Sequence, residues 1–232
     1  MKLYIMDVTI PPLEFFLPRV SEDRIGRAKK FRFEMDRRRG LAAEALLNYG
    51  LKQLCPGLSF PVELIRDENG KPEVVFSEQE QELLRSQGIL TEEEDSIEFS
   101  LSHSGDYAIC GISDRQGEKL GVDIEKRRKN EGKIAEHFFC ENEVRSIRTA
   151  EDFYRFWTLK ESFTKAVGLG LSLPLDSFEV RVDGSEASYV YSKDTAVYRG
   201  KLYEPLADYT IAVCVKGEQA FPDGIECVDA WI

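Results

Sequence analysis

Several things are scarce in this sequence, and each scarcity removes a class of function. No stretch approaches about 18 uninterrupted apolar residues, so no membrane span is expected. There are only two histidines, and the five cysteines (Cys55, Cys110, Cys140, Cys214, Cys227) form no Cys-x-x-Cys pair. That gives no zinc signature. Scattered and odd in number, the cysteines point to reduced, mostly buried thiols in a cytoplasmic protein. Positive charge is also short: 31 Lys and Arg against 42 Asp and Glu leave a net charge of −11. Such a balance argues against nucleic acid or an anionic membrane as a partner, while leaving room for a local basic pocket. The opening MKLYIMDVTIPPLEFF carries an acid in its apolar part and no small-residue cleavage site, so it reads as a first strand rather than a signal peptide.

What is present is enough for a sizeable core. The 232 residues are 42% hydrophobic and 11% aromatic, which excludes disorder and suits one large domain or two small ones. After strand Lys2–Val8 and a loop from Pro11 to Pro18, Ser21 can cap a helix that opens with Glu22 and Asp23. Eight Arg and Lys then fall within sixteen positions, from Arg24 and Arg27 through Lys29, Lys30 and Arg32 to Arg37, Arg38 and Arg39. Phe31 and Phe33 lie among them as anchoring apolar surface. A solvated helix face has this composition; so does a pocket that gathers phosphate oxygens. Leu41, Ala45, Leu46 and Tyr49 follow with helical spacing and read as core. Asn69-Gly70 marks a hairpin between Val62–Arg66 and Glu73–Phe76, and Ser77–Glu98 reads as a short helix plus exposed loop. Ile97–Leu101 runs as a strand into Ser102-His103-Ser104-Gly105, and Tyr107–Ile112 returns.

The chemistry gathers further on. In Gly121-Val122-Asp123-Ile124-Glu125 the period is two, so Val122 and Ile124 point one way and Asp123 and Glu125 the other. Thr149 to Asp152 matches a capping box that starts a helix ended by Gly168. On it Trp157, Glu161 and Lys165 fall at i, i+4 and i+8, while Phe156, Leu159, Phe163 and Ala166 suit the core. An acid one turn before a base also describes an ordinary solvated helix. Two acids on a strand and a third on a helix, however, are a hard-cation site in outline. Four strands then alternate from Phe178 to Val215. The layout is α+β in two similar halves, residues 1–119 and 120–232.

These motifs, in this order, resemble the 4′-phosphopantetheinyl transferases of the type that activates surfactin synthetase, within the holo-carrier-protein synthase superfamily. The carrying stretches are Gly70-Lys71-Pro72, Ser102-His103-Ser104-Gly105, Gly121-Val122-Asp123-Ile124-Glu125-Lys126, and Phe156 to Lys165 (FWTLKESFTK) continued by Gly168 to Phe178 (GLGLSLPLDSF). Each is short; the ordered set is specific, and it spans the chain from about Arg24 to about Val215. The resemblance implies two α/β subdomains related by a pseudo-twofold, each an antiparallel sheet packed on a helix, with the active site in their cleft. It implies a monomer that moves the phosphopantetheine arm of coenzyme A onto a serine of an apo acyl or peptidyl carrier protein, releasing 3′,5′-ADP.

Carried over residue by residue, the resemblance makes Asp123, Glu125 and Glu161 the ligands of Mg²⁺, with Mn²⁺ an alternative. Glu161 is also the candidate base, and Lys165 and His103 face the pyrophosphate. Arg24, Arg27, Arg39, Lys71, Pro72, Ser102 and Lys160 join His103 and Lys165 as coenzyme A contacts. Lysine is common in relatives at the first two positions, and arginine keeps the charge while changing the geometry. Glu143 resembles a supporting acid of the family, and a solvated helix position describes it equally. Carrier proteins are usually acidic, as this chain is, so local features must carry the encounter. The basic-then-apolar stretch from Arg127 to Phe139 is the expected docking edge. A metal-dependent pyrophosphatase would use the same carboxylates with water as nucleophile. A mere coenzyme A or carrier-binding module would have no need of all three.

Overall fold

The computed structural model describes residues 1–115, 117–128 and 132–229. The chain divides into two compact units, Met1–Glu118 with Pro222–Ile232, and Lys119–Phe221. The fold is α+β.

In the first unit, strand β1 (Lys2–Asp7) is followed by a short helix α1 (Leu13–Phe16), then α2 (Glu22–Ala28) and the long α3 (Glu34–Leu54). The stretch from Pro11 to Pro18, expected as a loop, thus contains a helical turn; Pro12 caps it, where its missing N–H costs nothing. The hairpin β2 (Glu63–Arg66) and β3 (Pro72–Val75) turns through Gly70 at φ 83°, a left-handed backbone that favours glycine. Helix α4 (Glu78–Ser86) starts with a Ser77/Glu80 capping box and buries Leu84. Strands β4 (Phe99–Ser104) and β5 (Tyr107–Ile112) complete the order β11-β1-β5-β4, antiparallel except for β11 (Glu226–Cys227), which lies parallel to β1. Helix α3 packs on this sheet through Leu41, Leu46, Leu47 and Leu51, all fully buried.

β11 carries a correction. Residues 222–232 were expected in the second half, but Tyr4 and Ile5 pair with Glu226 and Cys227, and the Val228 N–H donates to the Ile5 carbonyl at 2.8 Å. Residues 222–229 therefore belong with the first unit.

The second unit runs β6 (Leu120–Lys126), α5 (Gly132–Phe138), α6 (Glu141–Ser146), α7 (Ala150–Val167), β7 (Glu179–Asp183), β8 (Glu186–Val190), β9 (Tyr198–Tyr203) and β10 (Tyr209–Lys216). Its sheet is antiparallel in the order β6-β10-β9-β8-β7, and α7 packs across β6, β10 and β9. Phe163 anchors the helix among Phe178, Tyr189, Tyr198 and Tyr191, with ring centroids 4.3 to 5.5 Å away. Thr149 and Asp152 form the expected reciprocal cap, and Gly168 closes the helix at φ 84°.

Candidate active site

Gly121 decides how β6 meets α7. A Cβ built there would stand 1.9 Å from the Ser162 carbonyl oxygen and 2.6 Å from the Ala166 nitrogen, so only glycine permits this approach. Asp123 and Glu125 follow on the same face of β6 by the period of two, turned to the helix. Asp123 is buried, and its Oδ1 accepts from Lys165 Nζ at 2.7 Å; the same ammonium donates to the Val122 carbonyl at 3.0 Å. Glu161 lies one turn before Lys165. Burial pushes its carboxyl above the ordinary value, the charge of Asp123 pushes it further, and Lys165 pulls the other way. β6 and α7 thus bring together two carboxylates that repel each other and one cation that attracts both.

Among the described residues no three His, Cys, Asp or Glu side chains converge as a metal cluster. The donors nonetheless suit Mg²⁺, a hard cation that takes one or two carboxylates, keeps several waters and draws its remaining oxygens from a bound phosphate. A divalent cation would also relieve the repulsion between Asp123 and Glu161.

Lys160 requires a correction. Expected among the coenzyme A contacts, it is fully buried, and its ammonium donates to the carbonyls of Leu175 at 2.7 Å and Phe178 at 2.9 Å. Its charge is matched by Glu143 at 2.8 Å. Desolvation lowers its pKa, and Glu143 opposes that shift. Glu143 is itself buried; it accepts from the backbone N–H of Val180 at 2.6 Å and of Cys140 at 2.8 Å. The pair therefore fastens α6, α7 and β7 together, and the solvated-helix reading of Glu143 is set aside. Helical spacing held the signal: Lys160 stands four residues after Phe156 and three before Phe163, on the core face.

In the first unit the basic cluster separates into distinct roles. Arg24 Nε donates to Glu44 Oε2 at 2.8 Å, while Glu44 Oε1 accepts from the Ser21 N–H at 2.7 Å. Sequence reasoning missed Glu44, a buried acid on α3 that fixes how Arg24 points. Arg27 pairs with Asp23 at 2.7 Å. Arg66 was also missed: it stands exposed on β2 and donates to the Gly70 carbonyl, and partial desolvation and the charges of Arg27 and Arg24 lower its pKa. Arg39 donates to the Gly105 carbonyl at 2.7 Å and pairs with Asp36, tying α3 to the turn that follows Ser102 and His103 on β4. His103 is exposed on that strand. Lys71 pairs with Glu98, and Pro72 opens β3.

Arg127 is likewise not available as a docking group. Its guanidinium donates to the carbonyls of Tyr209, at 3.1 Å, and of Ala207. Phe138 is exposed, whereas residues 129–131 of the same stretch lie outside the described residues.

With this geometry in place, comparison with known proteins is specific. Residues 119–214 match the family model of the 4′-phosphopantetheinyl transferase superfamily, and residues 11–114 match that of the N-terminal part of 4′-phosphopantetheinyl transferase. The 4′-phosphopantetheinyl transferase gsp of Aneurinibacillus migulanus is 30% identical over 200 residues, covering 82% of this chain and 73% of that one. A 4′-phosphopantetheinyl transferase of Bacillus subtilis is 29% identical over 230 residues, covering 89% and 86%. The 4′-phosphopantetheinyl transferase Sfp of Bacillus subtilis (strain 168) is 37% identical over 138 residues, covering 56% and 59%.

Proposed function

This chain belongs to the 4′-phosphopantetheinyl transferase superfamily, of the Sfp type, and we propose that it transfers the phosphopantetheine arm of coenzyme A to a carrier-protein serine with release of 3′,5′-ADP. The observation that carries the reading is the pairing of Asp123 with Lys165 beside Glu161, whose carboxyl is raised by burial and by Asp123. A carboxylate so raised is a stronger base than one in water.

In this reading the serine oxygen attacks the pyrophosphate phosphorus that bears the pantetheine arm. A new oxygen–phosphorus bond forms, the bridging bond breaks, and the electron pair leaves on 3′,5′-ADP. Glu161 takes the serine proton, directly or through water, and Lys165 and His103 offset the charge on the pyrophosphate oxygens. Asp123, Glu125 and Glu161 are the residues that would hold Mg²⁺, or Mn²⁺ in its place, which when bound neutralises pyrophosphate charge. Arg24, Arg27 and Arg39 are assigned to the coenzyme A phosphates and Lys71, Pro72 and Ser102 to the rest of that ligand, with Arg66 added to the first group. Lys160 is removed from the contact set. The protein is taken to act as a cytoplasmic monomer; no helix among its described residues is long and apolar enough to cross a membrane.

The test is the intact mass of an apo carrier protein incubated with this chain, coenzyme A and Mg²⁺. The expected gain is about 340 Da, the arm released by pyrophosphate cleavage. Coenzyme A consumed without a mass gain on several unrelated carriers would move the assignment to a pyrophosphatase.

A further inference from the structure

The segment Lys29–Phe33, between α2 and α3, has a composition that the site above does not use. Lys29, Lys30, Phe31, Arg32 and Phe33 are all exposed, Phe31 at 41% and Phe33 at 62%. The neighbouring cations are engaged: Arg24 with Glu44, Arg27 with Asp23, Arg38 with Glu34 and Arg39 with Asp36. Among the described residues no carboxylate pairs with Lys29, Lys30 or Arg32. On a chain of net charge −11, this is a local excess of three cations interleaved with two aromatic rings.

The segment is also fixed in shape. The N–H groups of Lys30 and Phe31 donate to the carbonyls of Arg27 and Ala28 at 3.0 and 3.1 Å. The Phe31 carbonyl accepts from Arg37 Nε at 3.0 Å. One edge of the Phe31 ring leans on Gly40, where a Cβ would lie 3.6 Å from it, and Arg32 stands 5.3 Å from the centre of the Phe33 ring. These bonds fix the backbone of the segment, on which both rings are exposed. Two large rings kept in water beside unpaired cations form a surface for a partner whose apolar side chains are flanked by acids.

We propose that Lys29–Phe33 is a docking surface for the acidic face of the apo carrier protein, an inference that rests on the transferase reading. A small acidic domain meets this segment with one face, so local charge governs the contact within a Debye length of about 8 Å. An anionic membrane would present a continuous negative plane to the whole chain and meet its net negative charge as well.

The test compares wild type with a Lys29→Glu/Lys30→Glu/Arg32→Glu variant and with Phe33→Ser, using an apo acyl carrier protein and an apo peptidyl carrier domain. The expected result is a carrier KM raised about tenfold or more, with the coenzyme A KM and kcat held within about twofold. Wild-type carrier KM should also climb between about 50 and 300 mM NaCl, and that of the triple variant should not. A triple Gln variant, which keeps the polarity without reversing it, should fall between the two. Transfer by wild type with an unchanged carrier KM in the variants overturns the surface alone, as does a parallel rise in the coenzyme A KM. Loss of binding to phosphatidylserine vesicles in the triple variant, with carrier KM unchanged, reassigns the segment to a membrane. A wild type that consumes coenzyme A and modifies neither carrier overturns the transferase reading, and this surface with it.

Discussion

Lys165 on α7 and Asp123 on β6 form an ion pair of 2.7 Å whose acid is buried and whose base is only partly so. The pair holds the helix to the strand at the one place where Gly121 lets the two backbones close. It also sets two opposing influences on Glu161, since Asp123 raises that carboxyl and Lys165 lowers it. Three neighbouring side chains thus share one electrostatic problem, and substitutions among them should not add.

Glu161→Gln is expected to abolish transfer while largely sparing coenzyme A binding, measured by calorimetry. Its metal-free stability gives an independent readout. A carboxyl raised in the fold contributes stability that is present below its unfolded pKa and is lost as pH rises through the folded value. At neutral pH the metal-free wild type carries that loss and the Gln variant does not. The variant's Tm in EDTA should be higher by about 2–4 °C at pH 7.5, and the gain should shrink toward pH 5. A Gln variant less stable than wild type under those conditions contradicts the electrostatic account.

Gly121→Ala is expected to separate β6 from α7, because its Cβ would meet backbone at 1.9 Å rather than a movable side chain. Transfer should drop by about 100-fold or more, as misplacing a catalytic group by an ångström does. Gly26→Ala in α2 is the control, with nothing within 4 Å of its Cβ. It should be neutral or more stable by roughly 0.5–1 kcal/mol. Equal activity in the two variants would remove Gly121 from any positioning role.

Lys160→Met would leave Glu143 charged and buried without its partner. Breaking one side of such a pair costs about 3–5 kcal/mol, so the Tm should fall by roughly 6 °C or more. Replacing Glu143 with Gln at the same time should recover part of that loss. Any folded fraction should keep its coenzyme A KM, since Lys160 donates to Leu175, Phe178 and Glu143. A coenzyme A KM raised tenfold in the stabilised double variant would return Lys160 to the ligand.

Arg66→Ala should raise the coenzyme A KM by about tenfold, the worth of one hydrogen bond to a charged group, and leave the carrier KM alone. Steady-state kinetics with each substrate varied in turn would decide it. An unchanged coenzyme A KM would make the cluster with Arg24 and Arg27 a solvated patch.

Much of this is legible in the sequence itself, for reasons that differ residue by residue. Helix α7 announced itself by a capping box at Thr149 and a left-handed stop at Gly168, both local features that tertiary contacts did not override. The alternation in Gly121–Glu125 correctly placed Asp123 and Glu125 on one face. Lys160 was misassigned because the resemblance carried it over with its motif neighbours Glu161 and Lys165, and that weighed more than its position between Phe156 and Phe163. Glu44 and Arg66 were missed because each acts through a residue distant in sequence, Glu44 through Arg24 and Arg66 beside Arg24 and Arg27. Helix α1 is one turn bounded by prolines, and β11 is two residues long; neither offers a period to read.

The short parallel strand at the tail has a temporal meaning. Tyr4 and Ile5 leave the ribosome long before their outer neighbours, Glu226 and Cys227. The first unit can form β1, β4 and β5 early, but one side of β1 stays open until Glu226 and Cys227 have been made. A chain stalled within the second unit would therefore offer the outer edge of its amino-terminal strand to other chains.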